Sequence, residues 1–483
     1  MRTFIGIDTG TSGTKALLLG EDGTVLARAT AEYSLSSPAP GWSEQSPEEW
    51  WRAAEQCLET LSKQYTGPVS GIGLTGQMHG AVFLDEHGTV VRPAILWNDQ
   101  RTVQECAEID AAVGPERVRT ITRNPPLTGF QLPKILWLRK HEPEAFARVR
   151  RVLLPKDYIR FRLTGTQVAD LSDASGIGAL DVERRAWSTE ILSALHLDRS
   201  LFPDAVESAE RTGVVSSGPY GGVMVAAGGG DQAAGGVGTG AVRDGVVSVS
   251  LGTSGVVFTA LTNLPAAPTE QAHTFCHATG RWHAMTVMLS CGGAVRWLRD
   301  TFYPGVSYDD ITADAARVPA GADGLTFLPY LTGERSPHND PEATGSLSGL
   351  TIRHTRAHVA RAVFEGVTFG LLDGLNVLRS MGVSPAELRI SGGGAKSAFW
   401  RQLLADAMGV PCVTLPSDEG PSYGAALLAG VAAGAWPTIQ VACDAVVRVA
   451  DRVEPNRALG DAYARAYDRY RALYPALRSW GRS

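Results

Sequence analysis

The sequence predicts an α/β protein built from two similar halves. The first observation is an opening hairpin, in which an apolar stretch (residues 4–7) leads into Asp8-Thr9-Gly10-Thr11-Ser12-Gly13 and then into a second apolar stretch. The second observation is a repeat of Gly-Thr-Ser-Gly at residues 252–255, again between two apolar, β-branched stretches. Strand–turn–strand patterns that recur in one chain indicate a duplicated fold.

Both hairpin turns have residues suited to binding phosphate. Glycines at positions 10 and 13 let the backbone approach a ligand closely, and several N–H groups of such a turn can point at one phosphate. Asp8 stands where strand meets turn, whereas Ser250 takes its place in the second copy. Either turn alone is equally well explained as an ordinary hairpin. The repeat favours one nucleotide held between two halves, as in the actin and sugar-kinase ATPases.

Composition narrows the class of protein. A length of 483 residues predicts two or three domains, and 19% charged residues with a net charge of -6 give no sign of a nucleic-acid or lipid-headgroup partner. The six cysteines lack any Cys-x-x-Cys pair, which is typical of reduced thiols. The group His273, Cys276, His277 and His283 matches no common zinc spacing. With a first strand starting near Thr3 and no membrane-length apolar run, we expect a cytoplasmic protein without a signal peptide.

In the first half, residues 23–27 predict a third strand, and Ser46-Pro47-Glu48-Glu49 predicts the start of a helix with Ser46 as N-cap. Residues 69–74 predict a strand that ends in Thr75-Gly76-Gln77-Met78-His79-Gly80. Ligands bind at the carboxyl ends of parallel strands, so this loop is a candidate site, with a structural loop histidine as the alternative. Residues 95–101 form another strand end with polar groups.

Residues 102–215 are predicted to be rich in helices and loops. A strand at residues 223–227 then leads through three glycines to Asp231 and a helix of small residues. An aspartate at a glycine-rich strand end is well placed to act as a catalytic base. Asp231 is equally well explained as an N-cap, a position that aspartate favours.

The second half opens near residue 245 with the second hairpin. One long helix is predicted over residues 357–381, and a strand at residues 388–391 ends in Gly392-Gly393-Gly394 before another helix, a pattern suited to holding a purine or a phosphate against backbone. A helix of small residues from Gly420 resembles the one after Asp231, and the two are predicted to cross closely. Residues after about 450 predict a polar terminal helix.

Nearly the whole chain resembles the FGGY family of carbohydrate kinases. The C-terminal signature of that family fits Gly345-Ser346-Leu347-Ser348-Gly349-Leu350 and its continuation through residues 358–365. The N-terminal signature around Lys134 and Trp137 fits except at Gln131, where a small Pro, Ser or Thr is usual. The remaining matches are Gly76-Gln77-Met78-His79-Gly80, Pro93-Ala94-Ile95-Leu96-Trp97-Asn98-Asp99, Leu154-Pro155-Lys156-Asp157-Tyr158, Gly229-Gly230-Asp231, Ser250-Leu251-Gly252-Thr253-Ser254-Gly255 and Gly392-Gly393-Gly394-Ala395-Lys396-Ser397.

The resemblance implies two actin-like (ribonuclease H-like) ATPase domains, with mixed sheets flanked by helices and a central cleft. Residues 1–244 would hold the sugar and the catalytic base, and residues 245–483 would hold ATP. The implied reaction is ATP-dependent phosphorylation of D-xylulose to D-xylulose 5-phosphate, with a homodimer as the candidate assembly. The alternatives are a kinase for another ketopentose or polyol, such as ribulose or a pentitol, and a non-kinase actin-fold ATPase, which the polar loop at residues 77–79 disfavours.

The resemblance also implies roles for particular residues. Asp231 would be the general base and would contact the sugar, and Asp8 would hold Mg²⁺, directly or through water. The other sugar contacts would be Gln77, Met78, His79 and Trp97. The nucleotide would lie against Gly10, Thr11, Ser12, Gly252, Thr253, Gly393, Gly394 and Ala395.

Overall fold

The computed structural model describes residues 1–416 and 420–479. The first part of the chain contains β1 (Thr3–Thr9), β2 (Gly13–Gly20), β3 (Val25–Glu32), β4 (Glu44–Gln45), α1 (Pro47–Gln64), β5 (Gly71–Gly76), β6 (Val82–Leu84) and β7 (Ala94–Ile95). The middle part contains α2 (Val103–Val113), α3 (Pro115–Thr122), α4 (Gln131–His141), α5 (Pro143–Arg148), β8 (Arg151–Leu153), α6 (Pro155–Thr164), β9 (Val168–Asp170), α7 (Leu171–Ala174), β10 (Leu180–Asp181), β11 (Ala186–Trp187), α8 (Thr189–Ala194), β12 (Asp204–Val206) and β13 (Arg211–Val214).

The chain continues through β14 (Met224–Ala226), β15 (Gly229–Gly230), α9 (Asp231–Thr239), β16 (Val246–Leu251), β17 (Gly255–Leu261), β18 (His273–Cys276), β19 (Trp282–Met288), α10 (Gly292–Phe302), α11 (Tyr308–Ala316), β20 (Thr326–Leu328) and β21 (Ser346–Ser348). It ends with α12 (Arg356–Ser380), β22 (Glu387–Ser391), α13 (Ala398–Met408), β23 (Cys412–Thr414), α14 (Gly420–Ala432), α15 (Ile439–Val446), β24 (Asp451–Val453) and α16 (Gly460–Leu477).

Two seven-stranded mixed sheets organise the protein. The first has the order β13-β14-β5-β1-β2-β3, with β15 also paired to β5, and the second has the order β18-β19-β17-β16-β22-β23-β24. In each sheet an antiparallel hairpin (β1–β2 or β16–β17) is followed by a parallel neighbour, β5 beside β1 and β22 beside β16. The predicted duplicated hairpins and the predicted class of fold are therefore confirmed.

Helices α9 and α14 cross at backbone contact, as their small residues predict. A Cβ atom on Gly238 would lie 1.9 Å from the carbonyl oxygen of Gly420, and one on Gly424 would lie 1.8 Å from that of Ala234. Helix α14 also packs on β1 and β5, where a Cβ on Gly6 would lie 1.8 Å from a backbone oxygen of α14. A helix from the last part of the chain thus covers the first sheet.

The predicted helices and strands differ from the structure in three places. Ser46 is the N-cap residue of α1, but its side chain makes no capping hydrogen bond, and its carbonyl oxygen accepts from the Glu49 N–H instead (3.0 Å). The middle region contains six short strands, β8–β13, besides its helices, and β24 precedes the terminal helix. Strands of two to four residues are too short to show an alternating pattern. No helix in the described ranges is long and apolar enough to cross a membrane.

Candidate active site

Three strand ends meet at one edge of the first sheet. Thr9 of β1 pairs with Gly76 of β5, and Gly76 pairs with Gly230 of β15. These pairings bring together Asp8, the loop that follows Gly76, and Asp231. All three were predicted separately from the sequence, and the parallel register is what makes them neighbours.

The two carboxylates at this edge both have raised pKa values. Burial raises the pKa of Asp231 to about 7, and the negative charge of Asp8 contributes. Burial also raises the pKa of Asp8 to about 6, opposed by Lys15, its partner across the β1–β2 hairpin. A carboxylate that titrates near neutrality can exchange a proton with a hydroxyl group at physiological pH.

Asp231 is the first residue of α9, and Gly230 is the N-cap. The alternative interpretation of Asp231 as an N-cap residue is therefore wrong. Gln232 donates to Asp231 Oδ1 from its side-chain amide (3.2 Å). The carboxylate is thus fixed at the positive end of a helix, beside the sheet edge.

The turn of the first hairpin has occupied carbonyl groups and free N–H groups. The Gly10 oxygen accepts from the Tyr33 hydroxyl (2.6 Å) and the Gln77 amide (3.3 Å), and the Thr11 oxygen accepts from the Gln45 amide (2.7 Å). The backbone N–H groups of Thr11 and Ser12 have no acceptor within residues 1–416 and 420–479. Unpaired N–H groups in a turn form a site for a phosphate oxygen.

The second hairpin turn repeats this arrangement. The Gly252 oxygen accepts from Gly292 N–H (2.8 Å) and the Thr253 oxygen from Cys291 N–H (3.0 Å) and Gly293 N–H (3.0 Å), while no acceptor in the described chain pairs with the N–H of Gly252 or Thr253. A cavity of about 540 Å³ adjoins this turn. Its lining includes four predicted nucleotide contacts, together with side chains that sequence reasoning missed. The four are Gly252, Thr253, Gly393 and Gly394, and the missed ones include Arg296, Tyr308, Phe364, Lys396 and Trp400.

The loop after β5 carries one hydrogen-bond acceptor. His79 Nδ1 lies 2.7 Å from the Gly176 carbonyl oxygen, which can only accept, so Nδ1 carries the proton and Nε2 is an acceptor. Burial lowers the pKa of His79 to about 3, so the ring is neutral. The Met78 side chain contacts Gly230, since a Cβ there would lie 3.1 Å from Met78 Cγ. The loop therefore offers an apolar surface beside a hydrogen-bond acceptor.

Trp97 and Gln77 connect this loop to the turn of the first hairpin. Trp97 is 41% exposed, and its indole N–H donates to Thr11 Oγ1 (3.0 Å). Gln77 is buried and exchanges hydrogen bonds with Gly10, Thr11 and Gln45. The sugar contact of Gln77 stays a prediction, and its observed partners indicate that it supports the turn of the first hairpin.

Comparisons with known proteins agree with this geometry. Residues 3–238 match the N-terminal domain of the FGGY family of carbohydrate kinases, and residues 247–433 match its C-terminal domain. The chain belongs to the FGGY family of carbohydrate kinases. The xylulose kinase of Escherichia coli (strain K12) is 45% identical over 89% of this chain and 90% of that protein.

Solved structures show the same likeness. The xylulose kinase from Rhodospirillum rubrum superposes with a TM-score of 0.92 at 32% identity over 99% of both chains. The gluconate kinase from Lactobacillus acidophilus superposes with a TM-score of 0.93 at 26% identity, again over 99% of both chains. The predicted family is therefore confirmed, and the fold is shared by kinases for different sugars.

Two buried residues support the loop after β5 of this kinase. Lys134 Nζ donates to the carbonyl oxygens of His79 (2.9 Å) and Gly129 (2.6 Å), and burial lowers its pKa to about 7. The Gln131 amide donates to the carbonyl oxygen of Gly80 (2.8 Å). The departure from the family pattern at Gln131 thus replaces a small side chain with a donor to the loop. The only sequence signal for either role was the family signature around Lys134.

A buried charge cluster supports the backbone next to Asp231. Lys156 Nζ lies 2.6 Å from Asp157 Oδ1 and 2.7 Å from Asp170 Oδ1. Asp170 accepts from the Ser172 hydroxyl, and Ser172 Oγ in turn accepts from Gly230 N–H (3.2 Å), the residue before Asp231. Sequence reasoning quoted the Lys156 motif without assigning it this role, because Asp170 and Ser172 carry no local signal.

The site fits a divalent cation near Asp8. Asp8 and Asp231 are two half-buried carboxylates with raised pKa values, and hard oxygen ligands suit Mg²⁺. By contrast, no group of three His, Cys, Asp or Glu side chains in the described ranges could hold a metal ion. A metal at Asp8 would therefore take its remaining ligands from phosphate and water.

Proposed function

We propose that this kinase transfers the γ-phosphoryl group of ATP to the 5-hydroxyl of D-xylulose, with Asp231 as general base. The observation that carries the proposal is the position of Asp231, with its pKa of about 7, at the sheet edge that also holds the phosphate turn and His79. The high identity to curated xylulose kinases supports the choice of sugar.

In the proposed reaction, the Asp231 carboxylate takes the proton of the 5-hydroxyl as the bond from O5 to the γ-phosphorus forms. The bond from that phosphorus to the β–γ bridging oxygen breaks at the same time, and ADP leaves. A positioned general base contributes about 10²–10⁴-fold to such a step. Positioning and charge neutralisation supply most of the rest, because phosphoryl transfer needs little covalent help.

The two hairpin turns hold the phosphates. The free N–H groups of Thr11 and Ser12 would receive phosphate oxygens from one side, and those of Gly252 and Thr253 from the other. Mg²⁺, when bound at Asp8, neutralises negative charge on the phosphates. Closure of the two halves around the nucleotide would exclude water, which competes with the sugar as acceptor.

We also propose that the two halves bind different substrates. Residues 1–244 would hold the sugar and the base, and residues 245–483 would hold most of ATP. The 540 Å³ cavity supports this division because all its lining residues lie between Leu251 and Trp400. Since ATP is the phosphoryl donor, we propose that the enzyme works in the cytoplasm.

The residues at the proposed sugar end of the pocket favour a ketose as the substrate. His79 Nε2 can accept from one hydroxyl, and Met78 covers an apolar face of a short chain. A site that pairs a substrate hydroxyl discriminates strongly, because a mismatched epimer leaves a buried polar group unpaired. A sugar acid is the second candidate substrate, favoured by the structural likeness to a gluconate kinase.

The test is ADP release with ATP and Mg²⁺ across a panel of pentuloses, polyols and gluconate. We expect D-xylulose to give the highest kcat/KM and ATP turnover without sugar to be negligible. Asp231→Asn, assayed in parallel, should abolish the sugar-dependent part. A preference for gluconate or ribulose, or turnover that needs no sugar, would contradict the proposal.

A further inference from the structure

The strand that leads to Asp231 is very short. Strand β15 has two residues, Gly229 and Gly230, and it pairs with the end of β5. A Cβ atom on Gly228, the residue before this strand, would lie 1.9 Å from the carbonyl oxygen of Leu74, so the two backbones are in contact there. Because so short a strand forms few backbone hydrogen bonds, the position of Asp231 depends on contacts from other parts of the chain.

Two buried serines hold this strand end. The N–H of Gly230 donates to Ser172 Oγ (3.2 Å). The N–H of Gly228 donates to the carbonyl oxygen of Ser208 (2.9 Å). Both serines are buried, and an N–H group that lost such a partner would stay unpaired at a considerable cost.

One carboxylate connects the two serines. Asp170 Oδ2 accepts from the Ser172 hydroxyl, from the Ser172 N–H (2.9 Å) and from the Ser208 hydroxyl (3.0 Å). The other oxygen, Asp170 Oδ1, lies 2.7 Å from Lys156 Nζ, which also contacts Asp157 (2.6 Å). Charge pairing and three hydrogen bonds offset the cost of burying the Asp170 carboxylate. Asp170 is therefore a fixed point from which both serines are held.

The residues that follow Asp170 contact two further parts of the protein. The carbonyl oxygen of Gly176 accepts from His79 Nδ1 (2.7 Å), which lies in the loop after β5. The hydroxyl oxygen of Ser175 accepts from the N–H of Cys276 in β18 (3.1 Å). Residues 170–176, here called the junction segment, thus contact the strand end before Asp231, the loop after β5 and the second sheet.

We propose that the junction segment positions the general base relative to the loop that holds the sugar, and that Ser172 is the positioning residue for Asp231. This inference rests on the proposed function. Ser172 acts through Gly230, which precedes Asp231 and is the N-cap residue of α9. A base that moves out of hydrogen-bond reach of the 5-hydroxyl loses much of its effect on the rate, because proton transfer requires close and aligned groups. Substrate affinity rests on other groups.

The test measures kcat and the KM values for D-xylulose and ATP in the wild type and in Ser172→Ala. Removal of the hydroxyl leaves the buried N–H of Gly230 unpaired, and kcat should fall by about tenfold. Both KM values should change by less than about twofold, because the groups that contact the substrates stay in place. An unchanged kcat, or a main effect on either KM, would overturn the inference.

Ser188→Ala is the matched control. Ser188 is also a buried serine of the first half, and its Oγ atom accepts from the Ile191 N–H at the same distance of 3.2 Å, but this bond caps α8. Both variants should have a lower Tm than the wild type, and only Ser172→Ala should have a lower kcat. An equal fall of kcat in both variants would mean a general loss of stability and would overturn the inference.

A second variant keeps the inference testable if Ser172→Ala does not fold. Ser208→Ala removes the other hydroxyl group on Asp170 and should lower kcat by about threefold, again with unchanged KM values. An unchanged kcat in Ser208→Ala would then overturn the inference. A wild type that phosphorylates D-xylulose while Ser172→Ala keeps its kcat would refute only this inference. A wild type without activity on D-xylulose would refute the proposed function.

Discussion

Replacing Asp231 with asparagine should make the enzyme inactive and more stable at the same time. The amide keeps the shape of the side chain but cannot accept the proton, so kcat should fall by about 10²-fold or more. Burial and Asp8 raise the pKa of Asp231 from 3.8 to about 7. At 1.36 kcal/mol per pKa unit, this difference corresponds to about 4 kcal/mol of unfolding free energy lost at high pH.

That figure is an upper limit, because the Asp231 side chain is partly open to the cleft. We expect a gain of about 1–2 kcal/mol in Asp231→Asn at pH 8. The sign follows from linkage: an acid with a raised pKa in the folded state costs no stability below the unfolded value of 3.8, and its full cost appears above pH 7. The gain should therefore be clearly smaller at pH 5 than at pH 8.

The assay is thermal unfolding of both proteins at pH 5 and pH 8, together with sugar-dependent ADP release at pH 8. Each kcal/mol should raise Tm by about 2 °C or less in a chain of this size. An equal gain in unfolding free energy at both pH values would mean that burial does not disfavour the charged form of the Asp231 carboxylate. Near-normal turnover in Asp231→Asn would refute the assignment of the base.

Three further variants test other parts of the site and fold. Asp8→Ala should reduce Mg²⁺-dependent turnover by at least about 100-fold. Ser250 is the uncharged counterpart of Asp8 in the second hairpin, and Ser250→Ala should reduce turnover by less than about tenfold. Equal losses in the two variants would contradict the different roles of the two hairpins. His79→Ala should cost about 1–3 kcal/mol in kcat/KM for D-xylulose and narrow the preference over its 3-epimer D-ribulose, whereas an equal loss on both would make His79 a structural residue. Gly424→Ala should lower the unfolding free energy by more than about 3 kcal/mol, because its Cβ would lie 1.8 Å from a backbone oxygen of α9. Gly420→Ala is the control, since its Cβ would meet open space. Because alanine is a better helix former than glycine, a similar loss there would contradict the backbone clash as the cause of the effect at Gly424.

Local patterns predicted the hairpins and the strand end at Asp231, because glycines and a polar turn between apolar strands leave a signal within a few residues. The sequence predicted N–H groups of the first hairpin turn that face a ligand, but it did not predict how the carbonyl groups of this turn are held, since they accept from Tyr33, Gln45 and Gln77 in other parts of the chain. The same holds for Gln131, whose donor role requires the carbonyl oxygen of Gly80 from a distant strand end.

The sequence also did not predict that α14 packs on the first sheet. Its small residues predicted a close crossing with α9, but a stripe of small residues does not identify the sheet on which a helix packs. Only the contacts of Gly6 and Gly73 with backbone oxygens of α14 reveal that the chain returns to the first sheet. The short strands β8–β13 were missed because each has four residues or fewer.

The most direct test of the central claim is the identity of the product formed from D-xylulose and ATP. We predict one equivalent of ADP and a single sugar phosphate whose phosphorus couples to the two protons on C5 in the NMR spectrum. The same mixture with Asp231→Asn should contain unreacted D-xylulose. Phosphate on another carbon, or ADP formed together with free phosphate and unchanged sugar, would contradict the account of Asp231 as the base that activates the 5-hydroxyl.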